Sequence, residues 1–512
     1  MNESAKRFAQ SLLFEHCESE SLSEEGLRDI FERFGLSPNN NRHVSNYKFF
    51  LEACLNERVT EGIIQCLLEY FPAAVMASDD DNDSKLPLHY ACGCGCGNKN
   101  MTLEIVQLLI DAAPDSVRSV DNEGCMPLHC LCLNKFLDEI TAMEILKLLV
   151  EKHPGAIKHA DNDGFLPIHI ACLSSPPEFC RVLIEAYPES ERVANAGGAL
   201  PLHFASAMNT AATVEYLYKL YPDAINHAAT DGHYPIHYAI LGMNRRDDPI
   251  AAVDIVQFLL GCDPIVKLQK FGEVMSLLFC ACQGVYNDSN IGAALEMIKV
   301  IYDAHPKAIN NNIASSIHEY HQQVRAFIND ELVYARQAKD LRLMTTPDDS
   351  GQLPLHIAIR KNATLGSIKL LVKGNPHAVQ SLDNRGSLPL HLAAHHDCTR
   401  VVQYLAGLDT STLDAVDSEG KTVLHCACRG AKYDTIAMIL DKYDAVSVSK
   451  RNAQKKLPID LLWESNEVLD RESVEYTESV FRLLKAYPET LTMNIDMNME
   501  PDATQIRKKR KV

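Results

Sequence analysis

Leu86-Pro-Leu-His-Tyr-Ala-Cys-Gly-Cys-Gly-Cys-Gly97 decides the fold, because two readings of it compete. Its second half, three cysteines at alternate positions with a histidine upstream and glycines between, has the residue types of a zinc site. Its first half, apolar-Pro-apolar-His followed two residues later by Ala, returns along the chain. It stands at Met126-Pro-Leu-His129, Leu166-Pro-Ile-His169, Leu200-Pro-Leu-His203, Tyr234-Pro-Ile-His237, Leu353-Pro-Leu-His356 and Leu388-Pro-Leu-His391, and without its proline at Thr422-Val-Leu-His425. Degenerate copies begin at Lys48, Ser276 and Leu457. First positions are spaced by 38, 40, 40, 34, 34, 42, 77, 35, 34 and 35 residues. The base unit is therefore about 34 residues, a helical-repeat period.

Each unit has one internal grammar. Proline opens a short helix, a turn follows, and a longer helix comes next, as in Leu103–Ala113, where Ile105, Leu108, Leu109 and Ala112 take the i, i+3, i+4, i+7 spacing of a single buried stripe. Proline then stops the second helix, at Pro114 and at Pro72, Pro154, Pro188, Pro222, Pro264, Pro306, Pro376 and Pro488, because it lacks the N–H and its ring clashes with the preceding turn. Turn chemistry closes the unit at Asp121-Asn-Glu-Gly124, Asp161-Asn-Asp-Gly164, Asp383-Asn-Arg-Gly386 and Asp417-Ser-Glu-Gly420, where the glycine can take positive φ.

Asp-x-x-Gly, then x-Pro-Leu-His-x-Ala, then two helices resembles the ankyrin repeat over roughly residues 45–490. The family's Thr ahead of the proline is Leu, Met or Tyr in most copies, a variant that resembles large ankyrin families of unicellular algae. The Thr hydroxyl survives only at Thr422, or as Ser276, so apolar packing between neighbours is expected in its place. The resemblance implies an all-α solenoid of about ten to eleven helix-turn-helix repeats with short projecting hairpin-like loops. It also implies a structural role for His89, His129, His169, His203, His237, His356, His391 and His425.

The expected organisation is a helical cap over 1–46, repeats over 47–313, an inserted amphipathic helix over 314–346, repeats and a closing cap over 347–492, and a disordered tail over 493–512. In the cap, Ser21-x-x-Glu24 has the form of a capping box opening a helix with Leu27, Ile30, Phe31 and Phe34 on one face. The 77-residue step contains the insertion, in which Ile317, Tyr320, Val324, Phe327 and Ile328 share a helical face with no counterpart in other repeats. That face either docks a partner or folds back over the array.

Composition restricts the function. A net charge of −19 disfavours direct binding to nucleic acid or an anionic membrane. No stretch of 18 apolar residues occurs, and the first twenty residues lack the pattern of a secretory signal, so a soluble, intracellular protein, nuclear or cytoplasmic, is expected. Seventeen cysteines are then expected to be free and mostly buried.

The repeat register also resolves the opening stretch. Cys92 shares its slot with Cys54, Cys132, Cys172, Cys282 and Cys428, which leaves Cys94 and Cys96 in the turn of a lengthened unit and without the separated pairs of a zinc site. Motif histidines belong to different units about 8–10 Å apart, too far to share one ion. Glu419-Gly-Lys-Thr422 lacks the first glycine of a phosphate-binding loop, with Ala415 in its place, and is the repeat's own turn. Asp79–Asp83 begins like a calcium loop but has Ser84 and Tyr90 where glycine and glutamate are needed. His318-Glu-Tyr-His321 is one residue short of a zincin helix, and His395-His-Asp-Cys398 lies in a turn. No cofactor, metal or catalytic constellation emerges.

The expected function is a non-enzymatic scaffold or adaptor that binds a protein partner, basic if the acidic loops set the preference, through the concave face and loop tips. Its contact residues are expected at Asp121, Asn122, Asp161, Asn162, Asp383, Asn384, Asp417 and Glu419, with Tyr320, Val324 and Phe327 on the inserted helix. Arg507, Lys508, Lys509, Arg510 and Lys511 resemble a nuclear import signal for an importin-type receptor. The alternatives are a thiol- or metal-responsive sensor using Cys94 and Cys96, and an enzyme with an unrecognised site.

Overall fold

The computed structural model describes residues 3–38, 47–78, 84–93, 102–262, 277–306, 313, 316–396, 398–442, 448–465, 471 and 473–486. The chain divides into two compact units, Met1–Ile301 and Tyr302–Val512. Among the described residues there are helices and turns and no strand.

In the first unit α1 (Glu3–Glu18) and α2 (Glu24–Phe34) precede α3 (Lys48–Leu55) and α4 (Glu61–Tyr70), α5 (Pro87–Cys92) and α6 (Leu103–Ala112), and α7 (Pro127–Leu133) and α8 (Glu139–Lys152). The series continues with α9 (Pro167–Ala171) and α10 (Pro177–Ala186), α11 (Pro201–Met208) and α12 (Ala211–Leu220), α13 (Pro235–Gly242) and α14 (Ile250–Cys262), then α15 (Leu277–Cys282) and α16 (Ile291–Ala304), whose residues from Tyr302 onward belong to the second unit. The second unit holds α17 (Gln322–Gln337), α18 (Leu341–Thr345), and the pairs α19 (Pro354–Arg360) with α20 (Leu365–Gly374), α21 (Pro389–His395) with α22 (Thr399–Leu408), α23 (Val423–Arg429) with α24 (Tyr433–Lys442), and α25 (Pro458–Glu464) with α26 (Val474–Ala486). Within each unit short inner helices stack on inner helices and long outer helices on outer ones. No single pair could bury its apolar face alone.

The motif histidine makes the joint between repeats. Nδ1 of His89 lies 3.1 Å from the N–H of Leu86, the residue capping its own helix, and that N–H can only donate. Nδ1 is therefore the acceptor and the hydrogen sits on Nε2, which donates to the Cys125 carbonyl of the next repeat at 3.1 Å. The same pair of bonds recurs at His129 to Phe165 (3.2 Å), His169 to Val193 (2.9 Å), His356 to Ser381 (3.1 Å), His391 to Ala415 and Lys421 (3.1 Å each) and His425 to Lys456 (3.1 Å). His203 and His237 make the bond to their own caps, at 3.1 and 3.3 Å. All eight rings are at most 2% exposed. The capping residues Leu86, Met126, Leu166, Leu200, Leu353 and Leu388 are buried, which supplies the apolar packing expected where the Thr is missing. Thr422 alone among these caps places a hydroxyl on its histidine, 2.8 Å from His425 Nδ1. In the Leu457 copy Asp460 accepts the cap N–H at 2.8 Å but has no donor for a following loop.

Two further features link neighbouring repeats. Asparagines after an inner helix donate back to the carbonyls ending the inner helix before it: Asn56 to Cys17 (2.9 Å), Asn134 to Cys92 (3.3 Å) and Asn209 to Cys172 (3.0 Å). Cys17, Cys54, Cys92, Cys132, Cys172, Cys282 and Cys428 are fully buried in one register position, and burial pushes their thiols up, to about 12 at Cys17 and Cys282. Cys17 shows that the N-terminal cap is built as a repeat, with α1 stacked on α3 and α2 on α4. Its capping residue is Ser23, not the expected Ser21. Ser23 Oγ accepts from the Gly26 N–H at 3.1 Å, and Glu24, now the first helical residue, pairs with Arg28.

The 77-residue step differs from expectation. Ile317 and Tyr320 lie in a 3-10 turn and the link after it, outside α17, so the five-residue face is not one helical face. Tyr320, Val324 and Ile328 are buried and Phe327 is half-buried, its ring 6.2 Å from Tyr302. Helix α17 packs on α20, where the buried Glu331 accepts from Thr364 Oγ1 at 3.0 Å and from Ser367 Oγ. Helix α18 ends three residues before Asp348, as the 3-10 turn Pro114–Arg118 ends three residues before Asp121. The insertion thus supplies a further outer helix to the stack, and Tyr320, Val324 and Phe327 are drawn into packing instead of forming the expected docking face.

These clamps set a pH dependence. Burial depresses the histidines, with His169 and His203 at about 4 and His237 at about 3, against about 6.5 for an unfolded histidine. A group depressed on folding and needed neutral contributes stability that is complete above the unfolded value and is lost as pH falls toward the folded one. The urea midpoint is expected to be flat from pH 7 to 8 and to fall from 6.5 toward 4, each histidine contributing up to about 1.4 kcal/mol per unit of its shift. In His169→Gln, whose neutral amide cannot titrate, the slope should be shallower.

Candidate functional site

The projecting loops are built by their first and last residues. Asp121 Oδ1 accepts the N–H groups of Glu123 (3.0 Å) and Cys125 (2.8 Å), and Asp161, Asp383 and Asp417 do the same in their loops. At the fourth position Gly124, Gly164, Gly386 and Gly420 have φ between 67° and 80°. A Cβ on Gly164 would lie 2.7 Å from the Ala196 nitrogen, so both the conformation and the close approach call for glycine. Successive loops are stitched by one backbone bond each, Asn162 N–H to Glu123 O (3.0 Å), Ala196 to Asp163 (3.1 Å), Thr230 to Gly197 (2.9 Å), and in the second unit Asn384 to Ser350, Ser418 to Arg385 and Ala453 to Glu419.

This construction divides the expected contact residues. Asp121 and Asp383 are 5% and 7% exposed, and with the half-buried Asp161 and Asp417 they have a carboxylate oxygen committed to the backbone. Asn122, Asn162, Asn384 and Glu419 are exposed, although Asn162 and Asn384 also bond the preceding loop, at 2.9 and 3.1 Å. At the third loop position Glu123, Asp163 and Arg385 have side chains that the turn does not use, while Asp231 there lies 2.9 Å from His233 Nδ1 and Glu419 accepts from Lys421; of these only Glu419 was singled out from sequence. The signal was present at Glu123, Asp163 and Arg385, since an Asp fixed two residues ahead of each reads as an Asx turn; ahead of Asp231 that position is Ala229. Behind the first unit's tips, half-buried Phe165, Phe204 and Tyr238 form a row, with ring centroids 5.1 and 6.3 Å apart.

The remaining motifs can be placed. Gly420 and Thr422 of the P-loop-like stretch are the loop glycine and the helix cap. His318 is exposed beside Glu319, 3.8 Å away, outside any α-helix. Asp121, Glu123 and Cys125 have ligand atoms within 4.8 Å of one another, but burial and then the charges of Asp121, Asp161 and Glu123 push the Cys125 thiol up to about 12, away from the thiolate a metal requires. Among the described cysteines Cys130 departs from the free-thiol expectation: it is disulfide-bonded. Cys94, Cys96 and Arg507–Lys511 lie outside the described residues. No described helix is long and apolar enough to cross a membrane.

The family model described as ankyrin repeats (3 copies) matches residues 96–194, 312–414 and 355–452. No individual curated protein matches the chain. The second match runs through the 77-residue step, in agreement with α17 standing as an outer helix of the stack. With the histidine clamp, the stitched loops and the paired helices, these matches identify the chain as an ankyrin repeat protein.

Proposed function

We propose that this protein is a scaffold or adaptor that holds a protein partner against its inner helices and loop tips. Ankyrin repeats generally mediate protein–protein interaction and are typically non-enzymatic. The observation that carries the reading is the division of labour in the loops. Backbone-capping aspartates and glycines hold each loop rigid, while the third-position side chains of Glu123 and Asp163 are exposed and take no part in the turn. Rigid elements lose little entropy on binding, which favours recognition. In the first unit the tips are acidic, at Glu123, Asp163 and Asp231, over the row of Phe165, Phe204 and Tyr238. Aromatic anchors rimmed by acid suit a partner with apolar and basic side chains. The terminal cluster Arg507–Lys511 fits an importin-type receptor and a nuclear destination. A second reading is a thiol-responsive role for Cys94 and Cys96; unchanged oxidant sensitivity in Cys94→Ser with Cys96→Ser would remove it.

Glu123→Ala, Asp163→Ala and Asp231→Ala combined should leave the melting temperature within about 2 °C, since exposed substitutions rarely cost more than about 0.5 kcal/mol. The same variant should lose most of a partner captured from cells by the wild-type chain. Full retention would argue against the loop-tip reading. Deleting residues 507–511 should shift a fluorescent fusion from nucleus to cytoplasm without altering that capture.

A further inference from the structure

The inner helices of the two units end differently. Four residues after the clamp histidine the first unit has Gly93, Leu133, Leu173, Ala207 and Leu241, none of them charged, whereas the second has Arg360, His395 and Arg429. A helix C-terminus favours a cation, which accounts for arginines at these ends. It does not account for Arg385 and Lys421, which come from finger loops to the same place. Two adjoining clefts of about 370 and 460 Å³ share Glu419, Lys421 and Arg429 in their walls. Arg385 and Leu392 line the smaller cleft and Leu461 the larger.

Each carboxylate on these walls already has a partner. Asp417 Oδ1 accepts the N–H groups of Glu419 (2.9 Å) and Lys421 (2.8 Å), Glu419 accepts from Lys421 Nζ at 2.6 Å, and Glu464 accepts from Lys456 Nζ. The Lys421 ammonium itself is buried, its side chain 6% exposed. Arg385 and Arg429 are exposed, and their side chains have no ion pair or hydrogen bond among the described residues. Their fields nonetheless reach the cleft. The Glu419 carboxyl is held below its usual range by the hydrogen bond from Lys421, and further by the charges of Lys421, Arg429 and Arg385.

A guanidinium offers a planar fork of donors matched to a carboxylate. A dianionic phosphoryl group would meet the repulsion of Glu419 as well as the attraction of the arginines; single carboxylates, one to each fork, meet less. We propose that this cleft in the second unit docks an acidic segment of a protein partner, with Arg385 and Arg429 each receiving one carboxylate and the half-buried Leu392 packing its apolar side chains. The inference rests on the protein-binding reading and adds a partner chemistry opposite in sign to that expected at the first unit's tips.

The test uses the full chain and a short fluorescein-labelled peptide of alternating Glu and Ala, read by anisotropy. Binding should saturate, weaken as salt rises, and fall about tenfold or more in Arg385→Gln with Arg429→Gln, a variant whose melting should match wild type because both side chains are exposed. Arg385→Lys with Arg429→Lys keeps the charge without the fork and should lie between. Equal binding of the Gln-Ala counterpart, tighter binding of the Lys-Ala or phosphoserine-Ala peptide, or an unchanged double glutamine variant would overturn the proposal. Partner capture that depends on Glu123, Asp163 and Asp231 is read separately. Failure at the cleft with that capture intact overturns the acidic-segment docking and leaves the scaffold reading standing.

Discussion

In six repeats one imidazole does two jobs at once. The cap N–H in front of the inner helix must be accepted, and the carbonyl of the following loop must be given a donor. A neutral histidine has one of each, held in fixed relation by a rigid ring. The requirement fixes the tautomer, forbids the charged state, and forces the ring into the interior, where burial then keeps it neutral. Where the chain departs from histidine the consequence is visible: Asp460 retains the inward bond and cannot supply the outward one. Each clamp therefore joins a helix start to the next loop, and the stack propagates one neighbour at a time.

Much of this was legible in the sequence because the repeat imposes a strict register. Proline, histidine and alanine at fixed offsets located the inner helices, the second proline located each outer helix end, and the cysteine slot removed Cys92 from any metal site before its burial was known. Legibility failed where register alone is ambiguous. Ile317, Tyr320, Val324, Phe327 and Ile328 fit a helical period, but a period does not say where a helix begins, and the chain enters α17 only at Gln322. The later loop at Asp348 was the missing clue, since counting back from it places α18 and α17 where a 3-10 turn and an outer helix belong. Ser21 failed for a similar reason, because Ser23 competes for the same helix start and wins.

The loop aspartates carry a role that residue type alone does not separate from partner contact. Asp and Asn at a projecting turn suggest contact with a partner, yet their short side chains are also the best acceptors for the turn's own N–H groups. In each Asp-x-x-Gly loop the first residue spends an oxygen on the backbone and the third does not. Residue type could not separate these roles, but position within the turn could. The same logic explains why Asn162 and Asn384, although exposed, also stitch one loop to the next.

Because stability resides in the clamp, the caps and the apolar stripes, the chemistry of tips and inner-helix ends is free to vary without disturbing the fold. The chain uses that freedom unevenly. Glycine, leucines and alanine stand at the inner-helix ends of the first unit, while arginines and a histidine stand at those of the second, Arg429 and His395 beside Arg385 and Lys421. A uniform array would offer one kind of surface repeated; this one carries two, on a backbone that treats Leu133 and Arg429 as equivalent positions. Net charge averages over that difference, so −19 describes the solubility of the chain and not the sign of any one surface. What each unit recognises is set by residues that the stack leaves unconstrained, which is why the repeat pattern reveals the fold so readily and the partner so little.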